Sequence, residues 1–373
     1  MIHIRRMSRP CLLLLFILAL SSVASASISQ AATVSLLTHS THSGNTVPRQ
    51  AGTLTEYPIP TQGGQPVGIT SGPCGDGSQC LWFTESFGNK IGKITTSGQF
   101  TEYSLPTAGS QPEGIASGPC GDGSQCLWFT EFNQIYGNRI GKITTSGQIT
   151  EYALPTTQSE PDTITTGPDG NLWFTEFNGN QIGKITPTGQ ITEYTLPEPN
   201  SEPEGITSGP DHNVWFTEYN NFDIHTHGAF IGKITPTGQI TEYPLPEAQA
   251  QANGITTGPD GRLWFGQQIF PGGESPTAMS AEIGQIDPST GQITESQPLP
   301  NNGCLPNAIT TGSDNNLWFT EYYQIGTITT GDVVTEYPIP NSSNLPDQIV
   351  AGPDRNLWFT ESSGNNIAKI TTS

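Results

Sequence analysis

Residues Gly167–Pro197, GPDGNLWFTEFNGNQIGKITPTGQITEYTLP, are one copy of a unit that recurs along the chain. Its Leu-Trp-Phe or Val-Trp-Phe core is found at Trp82, Trp128, Trp173, Trp215, Trp264, Trp318 and Trp358, which are all seven tryptophans of the 373 residues. Successive tryptophans lie 46, 45, 42, 49, 54 and 40 residues apart. Self-similarity at this period marks a tandem array of supersecondary units, and it overrides the two or three domains that length alone would suggest.

Each unit offers four short apolar-rich runs bounded by turn residues. In the fourth copy these are Gly205–Ser208, Val214–Glu218, Ile231–Thr235 and Ile240–Tyr243, expected as strands A, B, C and D. Gly-Pro-Asp after A, a Gly-Asn-type loop after B and Pro-Thr-Gly or Thr-Ser-Gly after C are hairpin chemistry, and no segment has a helical period. The fold class expected is therefore all-β, a seven-bladed β-propeller with four antiparallel strands per blade. Burying roughly 150–250 Å² per tryptophan at about 25 cal/mol/Å² gives an upper bound of ~4–6 kcal/mol per blade contact. The run Thr53–Pro60 (TLTEYPIP) matches strand D and Ile367–Ser373 (IAKITTS) matches strand C, so the N-terminal strand is expected to complete the last blade.

Residues 1–26 read as a secretory signal: Arg5, Arg6 and Arg9 precede an apolar run from Cys11 to Leu20, and Ala24-Ser25-Ala26 supplies small residues for cleavage. That run is too short for a permanent membrane span. Residues 27–52 read as a flexible polar leader and 53–373 as the propeller. Cleavage would remove three arginines and no acid, taking the formal charge from −20 to −23. Such a surface excludes nucleic acid and anionic membranes as partners and favours cations. Cys74 with Cys80, and Cys120 with Cys126, stand in twin CGDGSQC insertions at the A–B turn of the first two blades and are expected as disulfides of a secreted protein; Cys304 is left alone as a half-buried thiol.

In an antiparallel meander the start of A and the end of B share one face, which collects two rings. The first follows the loop proline: Val67, Glu113, Asp162, Glu204, Asn253, Asn307 and Asp347. The second ends Trp-Phe-Thr-Glu: Glu85, Glu131, Glu176, Glu218, Gln267, Glu321 and Glu361. For the second ring the simplest expectation is structural, with ion pairs to Lys93, Lys142, Lys184 and Lys233 of strand C or capping of backbone between blades. The first ring varies from blade to blade and is half acidic, which suits ligand binding or Mg²⁺ or Ca²⁺ held through carboxylates.

Departures from the repeat cluster in neighbouring blades. Blade 4 has a longer B–C loop, Asn220–Ala229, with Asp223, His225 and His227; blade 5 inserts Gly266–Glu282; blade 6 carries Cys304 in the loop leading into it. A binding sector over blades 4–6 is expected, with Asn253, His225 and His227 in it. The two histidines are either metal ligands or a general base, or members of a solvated loop. His212 lies in an A–B turn on the opposite face, as a structural residue. No nucleophile elbow or zinc-protease helix is present, and Gly137–Thr144 lacks the spacing of a phosphate loop.

The unit Pro-x-Gly-Ile-Thr-x-Gly-Pro-Asp-Gly-Asn-Leu-Trp-Phe-Thr-Glu, followed by Ile-Gly-Lys-Ile-Thr-Pro-Thr-Gly and Thr-Glu-Tyr-x-Leu-Pro, resembles that of the virginiamycin B lyase, or streptogramin lyase, family from about Thr53 to Ser373. The resemblance implies a seven-bladed propeller whose active members open the ester of a cyclic depsipeptide by elimination. Mg²⁺ would polarise the carbonyl while a histidine takes the α-proton. The family's histidines directly follow the loop proline in late blades, where this chain has Asn307 and Asp347. Of the implied magnesium carboxylates one maps onto Glu361 and the other onto Leu345, while Glu-Pro survives at Glu160-Pro161 and Glu202-Pro203, with Glu218 ending the B strand of that last blade. Two readings follow: an exported monomer binding a small molecule, peptide, glycan or cation at the channel mouth, or an Mg-dependent carbon–oxygen lyase with a substituted base, Asp347, Asp162 or the loop histidines. The missing histidines favour the first.

Overall fold

The structure, a computed structural model, describes residues 52–219, 229–247, 250–269, 280–296, 298–300 and 306–372. The signal-like segment, the leader up to residue 51, His225 and His227, and Cys304 lie outside them. The described residues form seven four-stranded antiparallel sheets. In blade 3 the strands are A Pro161–Thr166, B Leu172–Glu176, C Gln181–Ile185 and D Ile191–Thr195, and in blade 4 Pro203–Ser208, Val214–Glu218, Phe230–Ile234 and Ile240–Pro244. The last sheet runs in the order Leu54–Pro58, Asn366–Ile370, Leu357–Glu361, Pro346–Ala351, so the N-terminal strand supplies strand D of blade 7.

Strand B has two apolar faces, and the two-residue alternation of a strand assigns them. Trp173 of blade 3 packs with Val214 and Phe216 of blade 4, and the same exchange joins Trp82 to Leu127 and Phe129, and Trp358 to Leu81 and Phe83 across the closure. Tryptophan thus faces the following blade, while the leucine and phenylalanine on either side of it face the preceding one. A buried indole N–H needs an acceptor. The Asp of Gly-Pro-Asp provides it, as in Trp173 Nε1 to Asp169 at 3.0 Å and Trp358 to Asp354 at 2.9 Å. In blades 1 and 2, where the cysteine insertions displace that aspartate, the carbonyls of Pro73 and Pro119 accept instead, both at 3.1 Å. The Cys74–Cys80 and Cys120–Cys126 disulfides close these two turns. They fit an oxidising environment, and no helix among the described residues is long and apolar enough to cross a membrane.

The outer edge is built by a stack. Tyr194 of strand D lies parallel to Trp173 with ring centroids 5.8 Å apart, and Lys184 sits 4.9 Å above the same indole. The tyrosine then meets Gly238 in the C–D turn of blade 4, where φ is +91° and a β-carbon would come within 2.2 Å of the phenol ring. Glycine is required there both for backbone hand and for room.

The expected pairing of the strand C lysines with the glutamates of Trp-Phe-Thr-Glu is not what the structure shows. Register sets Trp82 opposite Lys93 and Glu85 opposite Lys90, so each Gly-Lys-Ile lysine lies three residues from that glutamate and lodges on the tryptophan. Lys93, Lys142, Lys184, Lys233 and Lys369 all take this position, 4.9–5.1 Å from the indole centroid.

Threonine of Trp-Phe-Thr-Glu joins neighbouring blades at the channel. Thr84 accepts from Gly68 N–H of its own blade at 2.8 Å and donates to the Glu113 carbonyl of the next at 2.7 Å. Thr130 reaches Asp162, Thr175 reaches Glu204, Thr320 reaches Asp347, and Thr360 closes the ring onto Val67 across 293 residues. Blade 5 has Gly266 in this slot. Pro306 presses so close that a β-carbon would meet its carbonyl at 2.5 Å, and a backbone bond from Gly254 N–H to the Asn307 carbonyl, 3.0 Å, makes the link. Thr360→Val keeps the shape but leaves the Val67 carbonyl and the Gln348 N–H without their hydroxyl; we expect a loss of about 1–3 kcal/mol in urea unfolding. An unchanged midpoint would show that the clasp contributes nothing.

Candidate functional site

The mouth of the channel is built from three positions per blade. The first is the residue before the loop proline. Gln65, Gln111, Glu160, Glu202 and Leu345 all have φ between +49° and +54°, a left-handed conformation unusual for such residues and more so before proline. Its carbonyl is held by the N–H that follows strand B, for example Ser86 to Gln65 and Phe177 to Glu160, both at 3.0 Å. The sharp bend turns the chain from the D–A loop down into strand A, and side chains on both sides of the proline are held at the rim.

The second position is the ring after the proline. Val67, Glu113, Asp162, Glu204, Asn253 and Asp347 are buried at the wall of the channel, and Asn307 is half-buried. Glu113, Asp162 and Glu204 follow one another in blades 2–4, and Glu160 and Glu202 stand just before the prolines of blades 3 and 4, making one arc of the mouth acidic. Gln134 of the blade 2 B–C loop bonds to Glu160, and Ser86 donates to Glu113 at 2.9 Å. The other arc is a chain of amides: Asn253 Nδ2 donates to Asn307 Oδ1 at 3.0 Å, and Asn307 Nδ2 to Asp347 Oδ1 at 2.6 Å. Three blades are thus connected by side chains, two of which, Asn307 and Asp347, stand at the slots where the family resemblance places its histidines.

The third position was not anticipated. The residue after the glutamate of strand B falls on the same face as the tryptophan and threonine, so Ser86, Phe132, Phe177, Tyr219, Gln268, Tyr322 and Ser362 stand beside the first ring. The signal lay in the alternation of strand B continued by one residue. Burial, and next the carboxylates of Glu204 and Glu202, push the Tyr219 phenol well above its ordinary range; burial, Tyr323 and Asp347 do the same for Tyr322. Both are neutral hydroxyl donors at the mouth.

The glutamate ring, expected at the same mouth, is at that end of the sheets but does not line the opening. Alternation turns each side chain toward the preceding blade, under the D–A loop; the Glu85 carboxylate packs so tightly on Gly64 and Gly88 that a β-carbon there would sit 2.7 and 2.6 Å from it. Glu85, Glu131, Glu176, Glu218 and Glu361 have no exposed surface. Nor does the ring cap backbone: neither carboxylate oxygen of Glu85, Glu131, Glu176 or Glu218 accepts a hydrogen bond among the described residues.

The residues expected to hold magnesium do not fit it. Glu361 is fully buried and turns one oxygen onto the amide donors of Asn344 at 2.8 Å and Asn366 at 2.9 Å, so that oxygen is already engaged, and burial raises the carboxyl's pKa. Leu345 offers no oxygen at the companion position, and Glu218 is sealed inside its seam beside Glu242. Glu202 does stand at the mouth. Among the described residues no three His, Cys, Asp or Glu side chains are grouped to hold a metal ion. The blade 4–6 sector proposed from the long loops has its inner wall in Asn253 and Asn307, while His225 and His227 lie outside the described residues. His212 is in its A–B turn as expected, with φ +60°.

Comparison with known proteins agrees with this architecture. The Virginiamycin B lyase family matches residues 49–272 and 275–373. A virginiamycin B lyase from Staphylococcus aureus is 39% identical with a TM-score of 0.72, over 86% of this chain and all of the other. A streptogramin B lyase structure is 37% identical with a TM-score of 0.73, over 87% of this chain and 98% of that one. A catalytically inactive histidine-to-alanine form of the S. aureus virginiamycin B lyase, with quinupristin, is 38% identical, with a TM-score of 0.72 over 86% of this chain and all of that one. No curated protein matches significantly.

Asn307→Asp tests the amide chain. It would set two carboxylates 2.6 Å apart, which cannot both ionise without cost. The variant should melt with the native protein near pH 4 and fall below it at pH 8; parallel melting curves at both pH values would mean that the two side chains do not touch.

Proposed function

This chain belongs to the virginiamycin B lyase family, and from that premise we propose that it is an exported, monomeric member that binds a small molecule, peptide or glycan at the channel mouth without cleaving it. The observation that carries this is the Asn253–Asn307–Asp347 chain. A base for an α-proton needs a free lone pair of suitable basicity. The Asn307 amide has none, and its nitrogen donates to the one carboxylate at the neighbouring slot. The same groups suit recognition: carboxamides offer donors and acceptors together, the phenols of Tyr219 and Tyr322 add donors, and the acidic arc of blades 2–4 favours a ligand with positive charge. The disulfides and the N-terminal signal-like sequence support export, and the strong negative charge argues against nucleic acid as a partner.

The alternative, a carbon–oxygen lyase linearising a cyclic depsipeptide, is favoured by the 39% identity to a virginiamycin B lyase. In that reading Asp347 takes the proton. Ring opening by elimination moves the α-proton to the base, forms a C=C bond and breaks the alkyl C–O bond of the ester; the released carboxylate takes up a proton, so the linear product is an isomer of unchanged mass. The test is therefore incubation with quinupristin and Mg²⁺, followed by liquid chromatography with tandem mass spectrometry. We expect only the cyclic form. Linear isomer formed by the native protein and lost in Asp347→Asn would overturn the binding reading and make Asp347 the base.

A further inference from the structure

The Thr-Glu of strand D gives each seam a second carboxylate. Glu102 lies opposite Gly92, which in turn lies opposite Phe83, two residues before Glu85 on the same face. The D–A loop grips this outer glutamate through one threonine: Thr61 N–H and hydroxyl bond its two oxygens at 3.1 and 2.8 Å, Thr107 does so to Glu151 at 3.2 and 2.6 Å, and Thr156 to Glu193 at 3.0 and 2.7 Å. The outer carboxylate is satisfied as an anion. The inner one, Glu85, Glu131 or Glu176, is sealed behind it with neither oxygen hydrogen-bonded among the described residues, and the neutral donor beside it is the hydroxyl of Thr61, Ser110 or Ser159, whose lowering effect on its pKa is outweighed by burial.

Blade 5 shows what such a seam accommodates. Gln267 stands where the others have glutamate, equally buried, and its Nε2 donates to Glu295 of strand D at 2.9 Å. An amide with a hydrogen on its outer atom has the shape and polarity of a protonated carboxyl. We propose that the inner glutamates of blades 1–3 are held as protonated carboxyls that donate to the strand D glutamates, so that the rim is fastened in acid and loosened in base.

The charged groups around each inner carboxyl bear on this. Glu85 faces Glu102 and Lys90, Glu131 faces Glu151 and Arg139, and Glu176 faces Glu193 with no cation. Lys90 is engaged by Glu102 at 2.7 Å. Burial first, then the strand D glutamate, push Glu85 and Glu131 up to about 7 and Glu176 to about 8, against 4.5 for an ordinary glutamate. The folded protein therefore keeps protons that the unfolded chain has released. Their contribution is full below about pH 4.5, declines as pH rises through 7–8 and is gone above. Because the D–A loops hold both the outer glutamates and the first ring of the mouth, the loss is expected there first.

The test uses the native protein, Glu131→Gln/Glu176→Gln, and Asp332→Asn as an exposed-charge control. The double variant should match native at pH 5 and melt higher at pH 9, by on the order of 2–5 °C. The infrared band of a protonated carboxyl C=O should persist in the native protein at pH 6 and weaken in the variant. Equal gains at both pH values, a gain no larger than that of Asp332→Asn, or no such band at pH 6 would each overturn the proposal. Gln267 shows that the amide fits the seam, so a folding failure of the variant would itself contradict it.

Discussion

The threonine clasp at the inner end of strand B is the interaction on which the rest of the molecule depends. In blades 1, 2, 3, 6 and 7 one hydroxyl accepts from its own blade and donates to the next, so each of these blades fixes the height and angle of its neighbour at the channel wall. The carbonyls that receive these bonds belong to the ring after the proline, so the lining of the mouth is held by the same contact that closes the ring. Further out, each tryptophan packs against the following blade, but apolar contact is not directional. The hydroxyl bonds make the orientation specific.

Alternation along strand B then distributes every role. Tryptophan, threonine and the residue after the glutamate face forward, toward the next blade and the mouth. Leucine, phenylalanine and glutamate face back. One shift in register would exchange the two sets and place the glutamates in the channel. Their burial, behind a loop that grips a second glutamate, sets an acid-dependent layer directly beneath the site. Blade 5 departs from the pattern in a coordinated way. Gly266 yields to Pro306, Gln267 replaces the acid, and strand B runs on to Ile269. Its Asn253 begins the amide chain that runs on through Asn307 to Asp347.

On the reading proposed above, the meaning of Asn307 and Asp347 is chemical. Each is polar and of a size to stand where a histidine stands, and together they complete a hydrogen-bonded wall. Neither provides an imidazole. In this chain the amide of Asn307 holds its neighbour Asp347 in place.

The sevenfold recurrence of the tryptophan unit determined the blade count, the strand order and the closing strand, because a repeat that cannot bury its own faces has to stack on copies of itself. Sequence also determined which positions vary from blade to blade around the mouth, Asn307 and Asp347 among them. Only the tertiary structure decided that Lys93 and its equivalents stack on tryptophan instead of pairing with the glutamates, since that depends on cross-strand register. It alone showed that the glutamates point into the seams while Tyr219 and Tyr322 border the mouth. It also decided that Asn253, Asn307 and Asp347 join across three blades, because residues 40 and 54 positions apart in the chain meet only when the ring closes.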